Sequence, residues 1–353
     1  MILVDFNHLN SRILHSSIAT LRPKKKNGKY ITEDFKDFMI NGILTSFGYF
    51  IKTFKEYGEI ICCLEGKSWR KDFYEYYKAN RQQKKDVSEI NYQEVYSVYE
   101  ELALALKESF GIKTLRVDGA EGDDIIAVLS EYSFENNLKS VIISSDKDFK
   151  QLFKYNVDIY DPIKKEFRVK PKTSEEIQEE LELHIIKGDD VDNIPNIISE
   201  TEFSPNFLSY LKNNNIFIDN PEEFFKLSVS KDLVEKYDIF QVYKTGKNKG
   251  QKKEEKDIFK SLVLTKKKIQ ELQSLIKEDN IFARNYQRNK TLIDFDYIPS
   301  EIKENIKKTF KETKVQKANP IEIMKFCTEH KLKQLMGNYS IFLLNKQEDI
   351  GEW

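Results

Sequence analysis

The sequence predicts an α/β fold: a mostly parallel sheet flanked by helices, followed by a C-terminal helical part. Three observations carry this. Through the first 145 residues, short apolar runs alternate with stretches of helical periodicity, the rhythm of βαβ units. Several of those runs end on a carboxylate, and strand ends of an open parallel sheet converge on one crevice. After about residue 185, strand-like runs become scarce and helical patterns and polar loops take over.

The elements follow in order. Ile2-Leu3-Val4 is a short strand closed by Asp5. Phe35, Phe38, Met39, Ile43, Phe47, Phe50, Ile51 and Phe54 recur at helical spacing over 35–56, with Gly58 as the stop signal. The run 59–64 is a second strand and ends at Glu65. Val95, Tyr99, Leu102, Leu106 and Phe110 stripe a helix over 92–110, with Gly111 after it. A strand near 112–117 leads to Glu121-Gly122-Asp123-Asp124, which opens a helix to about 133. Val141 to Ser145 is a strand that runs straight into Asp146-Lys147-Asp148. Asp189 and Asp192, three apart, share one face of a helical turn. Helical patterns return at 257–279, 299–312 and 320–335, and the Lys-rich stretch at about 244–256 reads as a surface loop.

The chain has 353 residues, 40% of them hydrophobic, enough to bury one large core or two smaller ones. Its formal net charge is −1, so the total does not point to a polyanionic partner. The distribution does: lysines and arginines gather at 67–85 and 244–268, apart from the acids, and such separation makes a positive groove beside a negative pocket. Three cysteines, two of them adjacent in one strand, suit a reducing compartment. No basic leader with an apolar run and no 18-residue apolar stretch is present, so a soluble, cytoplasmic protein without a membrane partner is expected.

Each acid has an ordinary explanation when taken singly. Asp5 suits a helix N-cap, Glu65-Gly66 a turn, and Glu121 to Asp124 the first turn of a helix. Five groups delivered in α/β order are harder to explain that way. Unlike charges would be needed to hold them together, since two like charges about 4 Å apart repel by roughly 4 kcal/mol at an effective dielectric near 20. All the donors are oxygens, the loop at 189–193 lacks the central Gly of an EF-hand, and neither His nor Cys shows zinc-ligand spacing. Magnesium, with manganese as substitute, is the expected cofactor. A pair of such ions activates a water and stabilises the leaving oxygen of a phosphodiester, so hydrolysis of nucleic acid is the expected chemistry.

Directly after Glu65, basic and aromatic residues alternate through Lys67, Trp69, Arg70, Lys71, Phe73, Tyr74, Tyr76, Tyr77, Lys78 and Arg81. Cations hold phosphates while aromatic faces stack on bases. The competing explanation is a surface helix with solvated lysines and a tyrosine face on the core.

Taken together, the motifs resemble the 5′ nuclease (flap endonuclease) superfamily, and within it the phage ribonuclease H branch. They are Leu3-Val4-Asp5-Phe6, Cys63-Leu64-Glu65-Gly66-Lys67-Ser68-Trp69-Arg70, Tyr76-Tyr77-Lys78-Ala79-Asn80-Arg81, Glu121-Gly122-Asp123-Asp124-Ile125, Ser144-Ser145-Asp146-Lys147-Asp148-Phe149, Lys187-Gly188-Asp189-Asp190-Val191-Asp192-Asn193 and Leu292-Ile293-Asp294-Phe295-Asp296-Tyr297. The resemblance implies a PIN-like nuclease domain over 1–185 with a helical arch at about 67–92, and a helical DNA-binding domain over 186–353. It implies 5′→3′ exonuclease and flap endonuclease action on DNA and RNA–DNA hybrids that carry a 5′ flap or 5′ end. Removal of RNA primers in phage replication follows, as does a monomer meeting a sliding clamp or single-stranded-DNA-binding protein. Asp5, Glu65, Glu121, Asp123 and Asp146 would hold one magnesium, and Asp148, Asp189 and Asp192 the second. Lys78 and Arg81 would steady the scissile phosphate beside Asp146, and Tyr77 would stack on a base, with Lys67 and Arg70 as further substrate contacts. Three departures stand out. Glu65 occupies a position usually held by Asp, Asp124 varies across the family, and the run from Asn196 lacks a Gly-x-Gly hairpin, which argues against a potassium site. The acidic tail 348–353 ends in Trp353 and is a candidate clamp contact. Two alternatives remain open: a catalytically inactive, structure-specific nucleic-acid-binding protein, and a PIN-type ribonuclease acting on single-stranded RNA.

Overall fold

The structure is a computed structural model that describes residues 1–197 and 280–345. The Lys-rich loop at about 244–256, the basic cluster extending to 268, the helical pattern at 257–279 and the tail 348–353 lie outside the described residues. Strand β1 (Ile2–Asp5) leads directly into α1 (Phe6–Leu21). A small hairpin of β2 (Lys25–Lys26) and β3 (Lys29–Tyr30) precedes α2 (Lys36–Thr53) and β4 (Ile60–Cys63). Two short helices, α3 (Arg70–Phe73) and α4 (Ala79–Asp86), come next. The chain continues through α5 (Tyr92–Glu108), β5 (Lys113–Leu115), α6 (Gly122–Glu135), β6 (Val141–Ile143), β7 (Asp158–Asp161) and β8 (Glu166–Phe167). Helices α7 (Ser174–Lys187), α8 (Asn280–Ile293), α9 (Ser300–Glu312), α10 (Pro320–Glu329) and α11 (Lys333–Asn338) follow.

These elements divide between two compact units. One gathers Met1–Trp69, Val87–Ser174 and Ile298–Trp353; the other gathers Arg70–Asp86 and Glu175–Tyr297. The first unit is built on a six-stranded sheet of order β5-β4-β1-β6-β7-β8. All neighbours run parallel except β7 and β8. Every residue of β1, β4 and β6 is buried, as expected for strands covered on both faces, and this is why they read as unbroken apolar runs. The register pairs Ile2 with both Ile60 and Val141, so the three central strands start level and finish together. Their carboxyl ends therefore lie side by side.

One core cluster joins the sheet to helices from both ends of the chain. Phe47 and Phe50 of α2 and Leu102 and Leu106 of α5 share it with Ile323, Cys327, Leu332, Leu335 and Phe342. Phe110 meets Phe342 edge-on at 4.7 Å between ring centroids, and Phe326 at 5.7 Å. On α9, Phe310 packs against Tyr132 and lies under the ammonium of Lys113 at 4.5 Å. That buried ammonium also pairs with the buried carboxylate of Glu59 at 3.2 Å.

Elements beyond the periodicity reading include α1, β2 with β3, β7 with β8, α7 and α8. The single helix expected at 320–335 is broken. The backbone N–H of His330 caps α10, Lys331 adopts φ 55°, and α11 starts at Lys333. Few side chains other than Gly and Asn enter that left-handed region easily, so the hydrophobic pattern carried on where the backbone did not.

In the second unit, Tyr74, Tyr77, Leu181, Ile185, Ile194, Leu292 and Ile293 form a small core. It brings the basic, aromatic segment, α7, the acidic loop after α7, and α8 together. The sequence-level explanation of the tyrosines as a core-facing stripe is realised for Tyr74 and Tyr77, both buried.

Candidate functional site

The three central strands each deliver a carboxylate at the same edge of the sheet: Glu65 just beyond β4, Asp5 at the end of β1 and Asp146 beyond β6. Hydrogen bonds tie the edge together. Asp5 Oδ1 accepts from His8 N at 3.0 Å, which makes Asp5 the N-cap of α1. Asp5 Oδ2 accepts from Ser144 Oγ at 2.9 Å, and Ser144 Oγ in turn accepts from Asp146 N at 3.1 Å. Asp146 Oδ1 accepts from Asp148 N at 2.9 Å. A single serine hydroxyl thus spans the first and third acids. The sequence reading gives Ser144 no role of its own; a hydroxyl that follows an apolar strand and precedes an acid is the signal that was available.

Glu65 and the start of α6 are linked in the same way. Gly122 N donates to Glu65 Oε2 at 2.8 Å, and Glu121 N donates to Asp124 Oδ2 at 2.9 Å as part of a capping box. The ordinary roles weighed for these acids are therefore occupied, and by the same residues that form the acidic edge. Gly66 has a further reason to be glycine: a Cβ there would meet Val117 O at 2.3 Å and Ala120 O at 2.7 Å. The chain after Glu65 lies pressed on the backbone that leads into α6.

The electrostatics of this edge favour a cation. Burial raises the Asp5 carboxyl above its usual range, and the charge of Asp146 adds to the rise. The N–H of His8, the charge of His8 and the hydroxyl of Ser144 counter it in part. Burial also pushes the Cys63 thiol well up, with added repulsion from Asp5 and Asp123. The acids delivered at this edge offer carboxylate oxygens, the set that suits a hard divalent ion.

The second unit carries the remaining acids. Asp189 Oδ1 accepts from Val191 N at 2.8 Å and Asp192 N at 3.3 Å, and Asp189 Oδ2 meets His184 Nε2 at 3.2 Å. Asp189 and Ile194 exchange two backbone hydrogen bonds of 2.9 and 2.7 Å, closing a tight loop. Gly188 enters it at φ 69°, where a Cβ would meet Ile194 O at 2.3 Å. Asp192 binds the expected phosphate-contacting cations: Oδ1 pairs with Arg81 Nη2, Oδ2 lies 3.8 Å from Lys78 Nζ, and Oδ2 accepts from Tyr77 Oη at 3.3 Å. Lys78 itself sits at φ 57°, its N–H donating to Asp192 O at 2.8 Å. A lysine in the left-handed region costs on the order of 1–3 kcal/mol and persists only where its surroundings impose it, a pattern associated with functional positions. Arg70 is buried, with Nε donating to Leu292 O at 2.8 Å, while Lys67 is exposed.

A model of the 5′-3′ exonuclease N-terminal resolvase-like domain matches residues 1–182. The chain belongs to this 5′-3′ exonuclease family. A model of the C-terminal domain of T4 RNase H matches residues 231–342 of the same family member. Ribonuclease H of Enterobacteria phage T4 is 33% identical over 168 residues, 46% of this chain and 54% of the phage protein. The chain thus spans about half the length of that relative. A 5′-3′ exonuclease of Aquifex aeolicus is 30% identical over 245 residues, 66% of this chain and 82% of that protein. Among solved structures, the T5 D15 protein co-crystallised with metal ions superimposes with a TM-score of 0.50 at 17% identity, covering 88% of this chain and 97% of that one. The fold of this exonuclease family member is accordingly the resolvase-like 5′ nuclease fold, with its mostly parallel sheet flanked by helices. No helix among the described residues is long and apolar enough to cross a membrane.

Proposed function

We propose that this protein is a magnesium-dependent 5′→3′ exonuclease and flap endonuclease that removes RNA primers and 5′ flaps during phage DNA replication. The observation that carries this reading is the adjacent delivery of Glu65, Asp5 and Asp146 by β4, β1 and β6, with Ser144 bonded to two of the three. Asp5, Glu65, Glu121, Asp123 and Asp146 hold one ion in this reading, and Asp148, Asp189 and Asp192 the second. The oxygen-only donor set and the raised Asp5 carboxyl fit such a group: a buried carboxylate in that state gains by meeting a cation. When bound, the ions supply an activated water and neutralise charge on the leaving oxygen.

The chain's own groups do the rest. Arg81 and Lys78 already bind a carboxylate, and a phosphate presents the same kind of charged oxygens. Facing a phosphodiester, they stabilise negative charge as it develops on the phosphoryl oxygens. In this reading the nuclease domain is 1–185, with Asp189 and Asp192 added from just beyond it, and duplex binding belongs to 186–353, in a soluble cytoplasmic monomer that meets a sliding clamp or a single-stranded-DNA-binding protein.

The test is cleavage of an end-labelled DNA bearing a 5′ flap, with magnesium or with EDTA, beside a plain single-stranded RNA. The reading expects magnesium-dependent cutting near the flap junction. Binding without cutting would leave the inactive binding protein. Cutting of the RNA alone would leave the single-strand ribonuclease.

A further inference from the structure

Helix α8 buries a polar stripe. Asn285, Arg288 and Asn289, at the i, i+3, i+4 spacing of one helix face, are 0%, 8% and 0% exposed. Burying an amide or a guanidinium costs several kcal/mol unless its hydrogen bonds are satisfied, so the question is what these groups bind. They bind backbone carbonyls on both flanks of the loop that carries Asp189 and Asp192. Asn289 Nδ2 donates to Ile185 O at 2.9 Å, ahead of the loop, and to Pro195 O at 2.7 Å, behind it. Asn285 Nδ2 donates to Ile197 O at 3.0 Å, and Arg288 Nη2 to Pro195 O at 3.3 Å. Arg288 also fixes the two amides: its Nε donates to Asn289 Oδ1 at 3.0 Å and its Nη1 to Asn285 Oδ1 at 3.4 Å. That sets each amide with its NH2 group toward the loop.

We propose that Asn285, Arg288 and Asn289 are positioning residues for the second metal site: α8 clamps both flanks of the 188–194 loop and thereby sets the carboxylates of Asp189 and Asp192. The proposal rests on the two-metal nuclease reading above. Two features make the loop responsive to its flanks. It is closed by the paired Asp189–Ile194 bonds, and Gly188 leaves no room for a side chain against Ile194 O and Pro195 O. A displacement of Pro195 therefore reaches Asp189 directly. It also reaches the basic segment, because Asp192 O accepts from Lys78 N, Asn193 Nδ2 donates to Tyr76 O at 2.8 Å, and the Arg288 guanidinium lies 5.6 Å from the Tyr74 ring centre. Groups that orient metal ligands without touching the metal typically shift affinity by about 10–100-fold when removed.

The test uses Asn289→Leu, close in volume but without donors, and Arg288→Lys, which keeps the charge but cannot bridge two amides. Manganese binding to the metal-free full chain is measured by calorimetry without DNA, and flap cleavage is followed across a manganese series. The proposal expects wild type to bind two ions, and Asn289→Leu to retain one class while weakening the other about 10–100-fold. It expects the cleavage turnover number to fall at low manganese, with KM for DNA held, and to recover at high manganese. Arg288→Lys should be intermediate, and it carries the test if Asn289→Leu unfolds. Variants that bind both ions as wild type does, or whose lost turnover no manganese concentration restores, would overturn the positioning role. A wild type that binds two ions with these variant effects yet cuts no nucleic acid would overturn the nuclease reading and leave the clamp standing.

Discussion

Replacing Gly66 by Ala isolates one contact beneath the acidic edge. Its Cβ would sit 2.3 Å from Val117 O, about 0.7 Å inside the 3.0 Å that real Cβ atoms respect, and 2.7 Å from Ala120 O. Both neighbours are backbone, so no side chain can swing away. Forcing the segments apart strains packed backbone, at about 1–3 kcal/mol. It also breaks the 2.9 Å bond from Gly66 N to Ala120 O, worth about 1 kcal/mol. A total of about 2–4 kcal/mol corresponds to a melting temperature lowered by about 4–16 °C in a body of 150–250 residues. Glu65 moves with the strained segment and loosens its bond from Gly122 N, so magnesium-dependent cleavage by the folded fraction should fall at least about tenfold. Gly28→Ala is the control. It adds a side chain at φ 78° with nothing within 4 Å, so it should cost only about 1–2 kcal/mol and leave cleavage unchanged. Thermal denaturation beside single-turnover cleavage reads both effects. A Gly66→Ala protein that melts within about 1 °C of wild type and cuts at the same rate would refute the close-packing account.

Other predictions address the charges. Because Asp5 has a raised carboxyl in the folded state, that state holds a proton the unfolded chain releases, and stability falls as pH rises through the window above 3.8. Asp5→Asn should therefore be more stable than wild type in EDTA at pH 7, with the gain vanishing as pH drops below 3.8; a variant less stable at pH 7 contradicts this. Adding magnesium should stabilise wild type and not Asp5→Asn, as read by the shift in melting temperature. Lys78→Ala and Arg81→Ala should slow single-turnover flap cleavage by about 10²–10³-fold, and equal rates would remove both from the reacting phosphate. Lys113→Met leaves Glu59 buried without its cation and should cost about 3–5 kcal/mol in urea unfolding, with much of it recovered by adding Glu59→Gln.

The central strands were legible because both faces are covered, which turns them into apolar runs, and because each ends on an acid. Helix α1 was not read, although Phe6, Leu9, Ile13 and Leu14 stand at helical spacing after a capping Asp5, all of them buried. The polar residues between them diluted the pattern. Strand β7, Asp158-Ile159-Tyr160-Asp161, is no longer than β1 or β4 but is bounded by an acid at each end, so no apolar run marks it. Helix α8 failed for a different reason. Periodicity methods look for a buried stripe made of hydrocarbon, and much of this one is asparagine and arginine. The acids at 5, 65 and 146 were found because chemistry marks them. Ser144 and Asn289 were missed because their roles consist of hydrogen bonds to groups distant in sequence, which spacing does not encode.

The last helices complete the sheet unit's interior, with Phe342 against Phe110 and Ile323 and Leu335 in the same cluster. An expression fragment ending near residue 185 would leave that hydrocarbon facing water and should aggregate rather than yield a soluble minimal enzyme. On the ribosome, the sheet cannot reach its mature packing until the segment from Ile323 to Phe342 has emerged, so its strands must wait for helices made long after them. The chain's two halves are thus inheritable only as a pair: a recombination event that swapped the C-terminal portion would unseat the interior on which the acidic edge is mounted.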